Sequence, residues 1–137
     1  MLPLTTESTT ARRLHIGGKV RKEGWEVLNA LPGSYVDHLG NAKDLSAFED
    51  HLFQEIYASH ILEHLDYQLD LTLALREWHR VLCPGGTLYI SVPDLDILCK
   101  LLLCKEPLSF DERFEVMRMI FGGHMDDYDY HLVGLNK

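Results

Sequence analysis

Within EIYASHILEHLDY, residues 55–67, His60, Glu63 and His64 stand at the spacing H-x-x-E-H. Two imidazoles and a carboxylate so spaced can hold zinc in an inverted zinc-protease site. That requires a helix to put both rings on one face, with the Glu as general base and a third ligand from elsewhere. Two features oppose it. His60 directly follows FQEIYAS, which reads as a strand, so a helix can begin only near His60 itself. No Glu follows Glu115 to serve as a distant third ligand. No metal is therefore expected. Read singly, Glu63 suits a polar first helical turn near the positive end of the helix dipole. His60 and His64 are candidate general bases, because neutral imidazole titrates near working pH.

The elements that must position these groups alternate strand with helix. RRLHIGG is a short apolar run stopped by Gly17-Gly18, and GWEVLNA and SYVDHLG are two more short strands around the turn signal Pro32-Gly33. FQEIYAS is a fourth strand and GTLYISVP a fifth, placed after the breaker Pro84-Gly85-Gly86. Between the last two, Leu71, Leu75, Trp78 and Leu82 fall on one helical face. Strand, helix, strand is a right-handed crossover, so 56–59 and 88–92 are expected as parallel neighbours. LDILCKLLLC and DERFEVMRMIFGG read as two further helices, with Asp94 as a candidate N-cap. The fold class is α/β, an open, mostly parallel Rossmann-like sheet of about five strands with helices on its faces. The WEVLN to YVDHL connection is short for a parallel pair. Either the chain returns extended or these two pair antiparallel.

Joined to its surroundings, the opening motif has a third reading. EIYASHILEHLDY followed by LREWHRVLCPGGTLYISVPD resembles the fourth-strand, helix and fifth-strand region of class I S-adenosylmethionine-dependent methyltransferases. The carrying pattern is a strand, a Leu-Glu-His turn, and a helix ending in Arg-Val-Leu-x-Pro-Gly-Gly, here Arg80 to Gly86. From LHIGG to MRMIFGG the chain is similar to short bacterial predicted methyltransferases of the type 11 kind. The resemblance implies S-adenosylmethionine as cofactor and a small-molecule methyl acceptor with an O or N nucleophile. Carried residue by residue, it places the cofactor loop on His15, Gly17 and Gly18, the ribose position at Asn29, the adenine position at Asn41 and Ala42, and the methionine end at Ser59 and His60. His60 or His64 is the catalytic base it leaves. In some relatives a Glu-x-x-Glu-His version of this turn holds a divalent ion, which would involve His60, Glu63 and His64 here.

Three departures from the family pattern support an alternative, a non-catalytic subunit or binding module on the same fold. LHIGGKVRKEG lacks G-x-G-x-G and the helix that usually follows, and Asn29 and Asn41 stand where acids are frequent. An amide both donates and accepts but adds no charge to a ribose contact. The sequence also ends before the antiparallel hairpin usual beyond the fifth strand, so that strand's edge is expected to be free. A homodimer is expected to cover this edge or the surface around Leu101, Leu103, Phe114 and Met117.

Composition sets the outer limits. At 137 residues, one domain over 12–137 is expected, with a loose Thr-rich arm over 1–11. The net charge of −8 repels phosphate backbones and anionic membranes, so neither nucleic acid nor membrane is an expected partner. Cys83, Cys99 and Cys104 are odd in number and not closely paired, which suits a reducing cytoplasm rather than a disulfide framework. Trp25 and Trp78 are expected in the core or at its rim, Met117, Met119, Ile120 and Phe121 in helix packing, and His38 and His79 at the surface. The acidic segment from Asp126 to His131 reads as a solvated loop or as the wall of an acceptor pocket.

Overall fold

The computed structural model describes residues 11–136; the expected arm lies outside them except for Ala11. Its elements are β1 (Arg13–Ile16), β2 (Glu26–Asn29), β3 (His38–Leu39), β4 (Phe53–Ser59), a 3-10 turn (Leu62–His64), α1 (Asp70–Val81), β5 (Leu82–Ser91), α2 (Leu95–Leu102) and α3 (Phe110–Phe121). The five strands form one sheet in the order β3-β2-β1-β4-β5, and every pairing is parallel. The β2 to β3 question resolves as the extended return: two residues pair, Leu28 with His38 and Asn29 with Leu39. The connections 17–25 and 30–37 contain no helix. No helix among the described residues is long and apolar enough to cross a membrane.

One face of the sheet supplies most of the core. Alternate residues Leu14 and Ile16 of β1 and Ile56 and Ala58 of β4 are buried, as strand periodicity requires. They join Ala74, Trp78 and Val81 of α1 in one cluster. The helix turns a slightly different side inward than the expected one. Ala74 lies inside, while Leu75 is exposed. Trp78 has no exposed surface, and its Nε1 donates to Ala42 O at 2.7 Å, tying the loop after β3 to the core. Arg80 donates to the carbonyls of Leu45 and Phe48 and pairs with Glu77 and Asp50, closing the same loop over α1. Trp25 is half-buried, at the rim as expected.

Other differences from the expected plan have local causes. α1 begins at Asp70, after a turn in which the Asp66 carboxylate accepts from the amides of Gln68 and Leu69. Pro84-Gly85-Gly86 does not stop β5 from starting at Leu82. The register shifts there, Phe53 pairing with Leu82 and Glu55 with Thr87, so the extra residues form a bulge. Gly86 must be glycine, since a Cβ would meet Gln54 O at 2.8 Å. Asp94 caps α2 through Ile97 N, and Ser109 with Glu112 makes a capping box on α3. Gly122 ends α3 in the left-handed region. Met117, Met119 and Phe121 leave much of their surface exposed rather than packed. His38 is half-buried, not a free surface residue, with its ring edge-on to Phe48.

At the amino ends of the strands, Glu26 accepts two 2.7 Å bonds from Arg12 and lies 2.7 Å from His38 Nε2. The Arg12 hydrogen bonds hold its carboxyl below the ordinary Glu value, against an opposing effect of partial burial and with help from His38. A carboxylate depressed in the folded state stabilises above its unfolded pKa, and that contribution is lost as pH falls through the depressed value. Unfolding free energy is therefore expected to decline on acidification below about pH 4.3. The decline should be shallower in Arg12→Ala, as read by urea titrations across pH. Parallel declines in the two proteins would remove Glu26 from the account.

Candidate functional site

Parallel register builds the site. Ile16 pairs with Leu28 on one side and Ala58 on the other, so the next row up holds Gly17, Asn29 and Ser59. Ser59 in turn pairs with Ser91. The chain runs outward through β1, β2 and β3, then crosses back to lay β4 beside β1. The carboxyl ends of β1 and β4 thus flank the point where strand order reverses, where open α/β sheets bind ligands.

Gly17 has φ +75°, a backbone that side chains rarely adopt, and donates its N–H to Leu28 O at 2.7 Å. A Cβ on it would collide with the Ile61 side chain. A Cβ on Gly18 would meet His15 Nδ1 at 2.6 Å. His15 lies against Tyr57 with ring centroids 4.9 Å apart, and burial, then Lys22, push its pKa down. Both ends of the Asn29 amide are engaged: Nδ2 donates to Gly18 O at 3.0 Å, and Oδ1 accepts from Leu31 N at 2.9 Å. Gly40 N donates to Asn29 O, which brings the next residues, Asn41 and Ala42, to the same end of the sheet. Asn41 Oδ1 accepts from Lys43 N, and Ala42 O is the acceptor for Trp78.

Past Ser59 the chain turns sharply. His60 sits at φ +55° with its N–H on Ser91 O, a costly conformation for a non-glycine residue and one concentrated at functional sites. The H-x-x-E-H segment is consequently not α-helical, its last three residues forming only the 3-10 turn Leu62–His64, and the one-face arrangement of a protease site is not formed. The His60 side chain is 61% exposed, and its Nδ1 lies 3.1 Å from Oε1 of Glu63. Glu63, expected in a polar first helical turn, is buried in a 3-10 turn instead. His64 does not face the row. It lies edge-on to His131 at 4.7 Å with Nδ1 3.2 Å from Tyr130 O, and burial lowers its pKa against the raising effect of Glu63. The segment from Asp126 to His131, read as a solvated loop or as the wall of an acceptor pocket, thus folds back onto the turn after β4 and brings in His131, which has no role of its own in the sequence reading. A cavity of about 460 Å³ opens at the opposite, amino end of the strands among Arg12, His38, Phe48 and Leu52; none of these site residues lines it.

The sequence model of the methyltransferase domain family matches residues 18–90, more than half of the chain. The chain belongs to this family. Among solved structures, the methyltransferase domain is similar to a SAM dependent methyltransferase from Archaeoglobus fulgidus, at 20% identity and TM-score 0.53. That match covers 79% of this chain and 59% of that one, and it shows a shared fold. CurJ carbon methyltransferase aligns at 16% identity and TM-score 0.46, over 78% of this chain and 40% of that one. No curated protein matches the chain. The methyltransferase domain thus spans less than two thirds of either structural relative.

Proposed function

We propose that the protein is an S-adenosylmethionine-dependent methyltransferase acting on an O or N nucleophile of a small molecule. The observation that carries this reading is the row itself: left-handed Gly17 at the reversal point, with Asn29 and the Ser59-His60 turn in register beside it. Gly17 and Gly18 place bare backbone at this point, with Ile61 and His15 against the positions a Cβ would take, so a cofactor would have to move Ile61 or approach from the other side. Asn29 would meet the ribose through the remaining lone pair of Oδ1, and Asn41 with Ala42 would face the adenine. His15 and Ser59 would border the amino-acid end. The bound cofactor supplies an electrophilic sulfonium methyl. The contribution of the chain is to hold the acceptor in line and to remove its proton. His60 has the orientation for that. With Nδ1–H donated to Glu63, Nε2 is the basic nitrogen on a side chain open to solvent. His64 is the less suited base because its ring is turned to His131.

A second reading, a non-catalytic binding module on the same fold, is favoured by one observation: the protein's own Ile61 fills the space at Gly17, and Gly18 O and Leu31 N already engage the Asn29 amide. Calorimetric titration with S-adenosylhomocysteine after chelator treatment separates the two. Saturable micromolar binding supports the enzyme; none up to millimolar concentration supports the module. Asn29→Asp tests the row, because a carboxylate cannot donate to Gly18 O and would face it as a second acceptor. Binding should weaken by about tenfold or more, the equivalent of about 1.5–3 kcal/mol. The corresponding change at Asn41, whose Oδ1 only accepts, should not weaken it.

The proposal extends to a homodimer through β5, an edge strand of the sheet, or the exposed Leu101, Leu103, Phe114 and Met117 of α2 and α3. Light scattering on the titrated sample should give twice the chain mass; a monomer at tens of micromolar would end that part. A cytoplasmic setting accords with three free cysteines, two of them exposed.

A further inference from the structure

Glu63 carries an unexplained charge. Its side chain is 3% exposed, and only one carboxylate oxygen is accounted for, by His60 Nδ1. Oε2 is buried without a hydrogen-bond partner among the described residues. Such an atom forfeits its hydration with nothing in return, so a native fold retains it for a reason. Two imidazoles stand beside it. Ligand-type atoms of Glu63, His64 and His131 all lie within 4.8 Å of one another.

The tautomers are set by the backbone. His64 Nδ1 lies 3.2 Å from Tyr130 O, and His131 Nδ1 2.9 Å from Met119 O. A ring nitrogen facing a carbonyl is the protonated one, which leaves Nε2 of each ring with a free lone pair. This is the outer-shell arrangement of metal-bound histidines, and the His60 bond to Glu63 completes it for the carboxylate. The segment that brings in His131 is fixed at both sides: His131 N donates to Phe121 O, and Leu132 N donates to Glu63 O at 2.7 Å. Glu63 and His131 also line a small cavity of about 10 Å³ with Pro93, Leu98 and Met119, room for one water-sized body in otherwise apolar walls.

The geometry points to a site for a zinc-type divalent cation, held by Glu63, His64 and His131. Two neutral imidazoles and one carboxylate form a zinc-type donor set with a fourth position left open, whereas magnesium and calcium take mainly oxygen ligands. Reaching bond distance requires each ligand to move by less than about 1 Å. The site does not depend on the methyl-transfer reading, and its tests use no methyl acceptor.

The purified chain, stripped with chelator and dialysed, is titrated with Zn²⁺ by calorimetry and with Co²⁺ by visible absorption. One equivalent should bind at micromolar or lower free Zn²⁺, raise the unfolding midpoint, and give Co²⁺ bands of low-coordinate type. His131→Ala and His64→Ala should each weaken binding by about 100-fold or more, and His79→Ala, on the exposed side of α1, should leave it unchanged. Glu63→Gln guards against misfolding. It removes a buried charge, so the metal-free variant should unfold at or above the parent's midpoint yet lose the Zn²⁺-induced rise. Absence of saturable Zn²⁺ binding in the stripped parent overturns the proposal. So does binding that persists undiminished in the His131, His64 and Glu63 variants, which would mark adventitious surface coordination.

Discussion

Trp78→Ala is expected to lower the unfolding free energy by about 3–5 kcal/mol, enough to leave a domain of this size marginally folded. The indole has no exposed surface, so its removal combines a lost transfer free energy with a cavity under the sheet. It also removes the indole N–H that Ala42 O accepts. Trp78→Phe separates these effects. It keeps most of the buried area and loses the hydrogen bond, so it should cost about 1–3 kcal/mol. The loss should weaken cofactor binding too, since Ala42 and Asn41 hold their place through that bond. Urea unfolding at constant m-value reads the stability, and S-adenosylhomocysteine titration of Trp78→Phe reads the loop. A Trp78→Ala loss below about 1 kcal/mol would contradict the central place given to this residue.

What the sequence disclosed about the fold follows from which interactions are local. β4 runs Phe53–Ser59, the stretch read as a strand, and from Ile56 onward its buried residues alternate with the strand's own pleat. Asp94 caps α2 as expected for the same reason, its side chain reaching an amide three residues ahead, and Ser109 caps α3 by an equally local bond that the sequence reading misses. The errors mark where a partner distant in sequence decides. Pro84-Gly85-Gly86 is a breaker by composition, yet pairing with β4 absorbs it as a bulge, with Gly85 at φ +76°. Leu75 fits the helical spacing as well as Ala74 does, and the choice between them is made by packing against the sheet, which takes Ala74 into the core cluster.

The site was legible to the same depth. The glycines and the residues ending the strands could be placed from order along the chain, because parallel register carries them to one row. Neither the burial of Glu63 nor the approach of His131 could be. Both depend on the segment after α3 returning across the turn at Leu62–His64, a contact between residues nearly seventy positions apart. The available signal was chemical, not positional: a His, a Glu and a His near a strand end, and a further His in a run of acids with no partner of its own. Asn29 is a gentler case. Its amide looks like a weakened acid when only a ribose is considered, but the fold uses the donor and acceptor together, and an acid would break the contact to Gly18 O.

Gly17→Val is expected to be the most damaging single change to the row. At φ +75° a β-branched residue is strained by about 1–3 kcal/mol, and its Cβ would run into Ile61, adding about 1–3 kcal/mol of overpacking. The unfolding midpoint should fall by several degrees, and S-adenosylhomocysteine binding should drop by about 100-fold or more in samples whose circular dichroism shows them folded. Ile61→Ala divides the effect. Combined with Gly17→Ala it clears the collision and leaves the backbone strain alone, so the double variant should recover part of the stability lost by Gly17→Ala by itself. Recovery of binding in the double variant would mean that space, not backbone angle, governs access at Gly17. If Ile61→Ala alone binds more tightly than the parent, the side chain acts as a plug over the glycine loop, and the cofactor must displace it to enter. Unchanged affinity in Gly17→Val would remove Gly17 from the binding row and with it the main support for the cofactor reading.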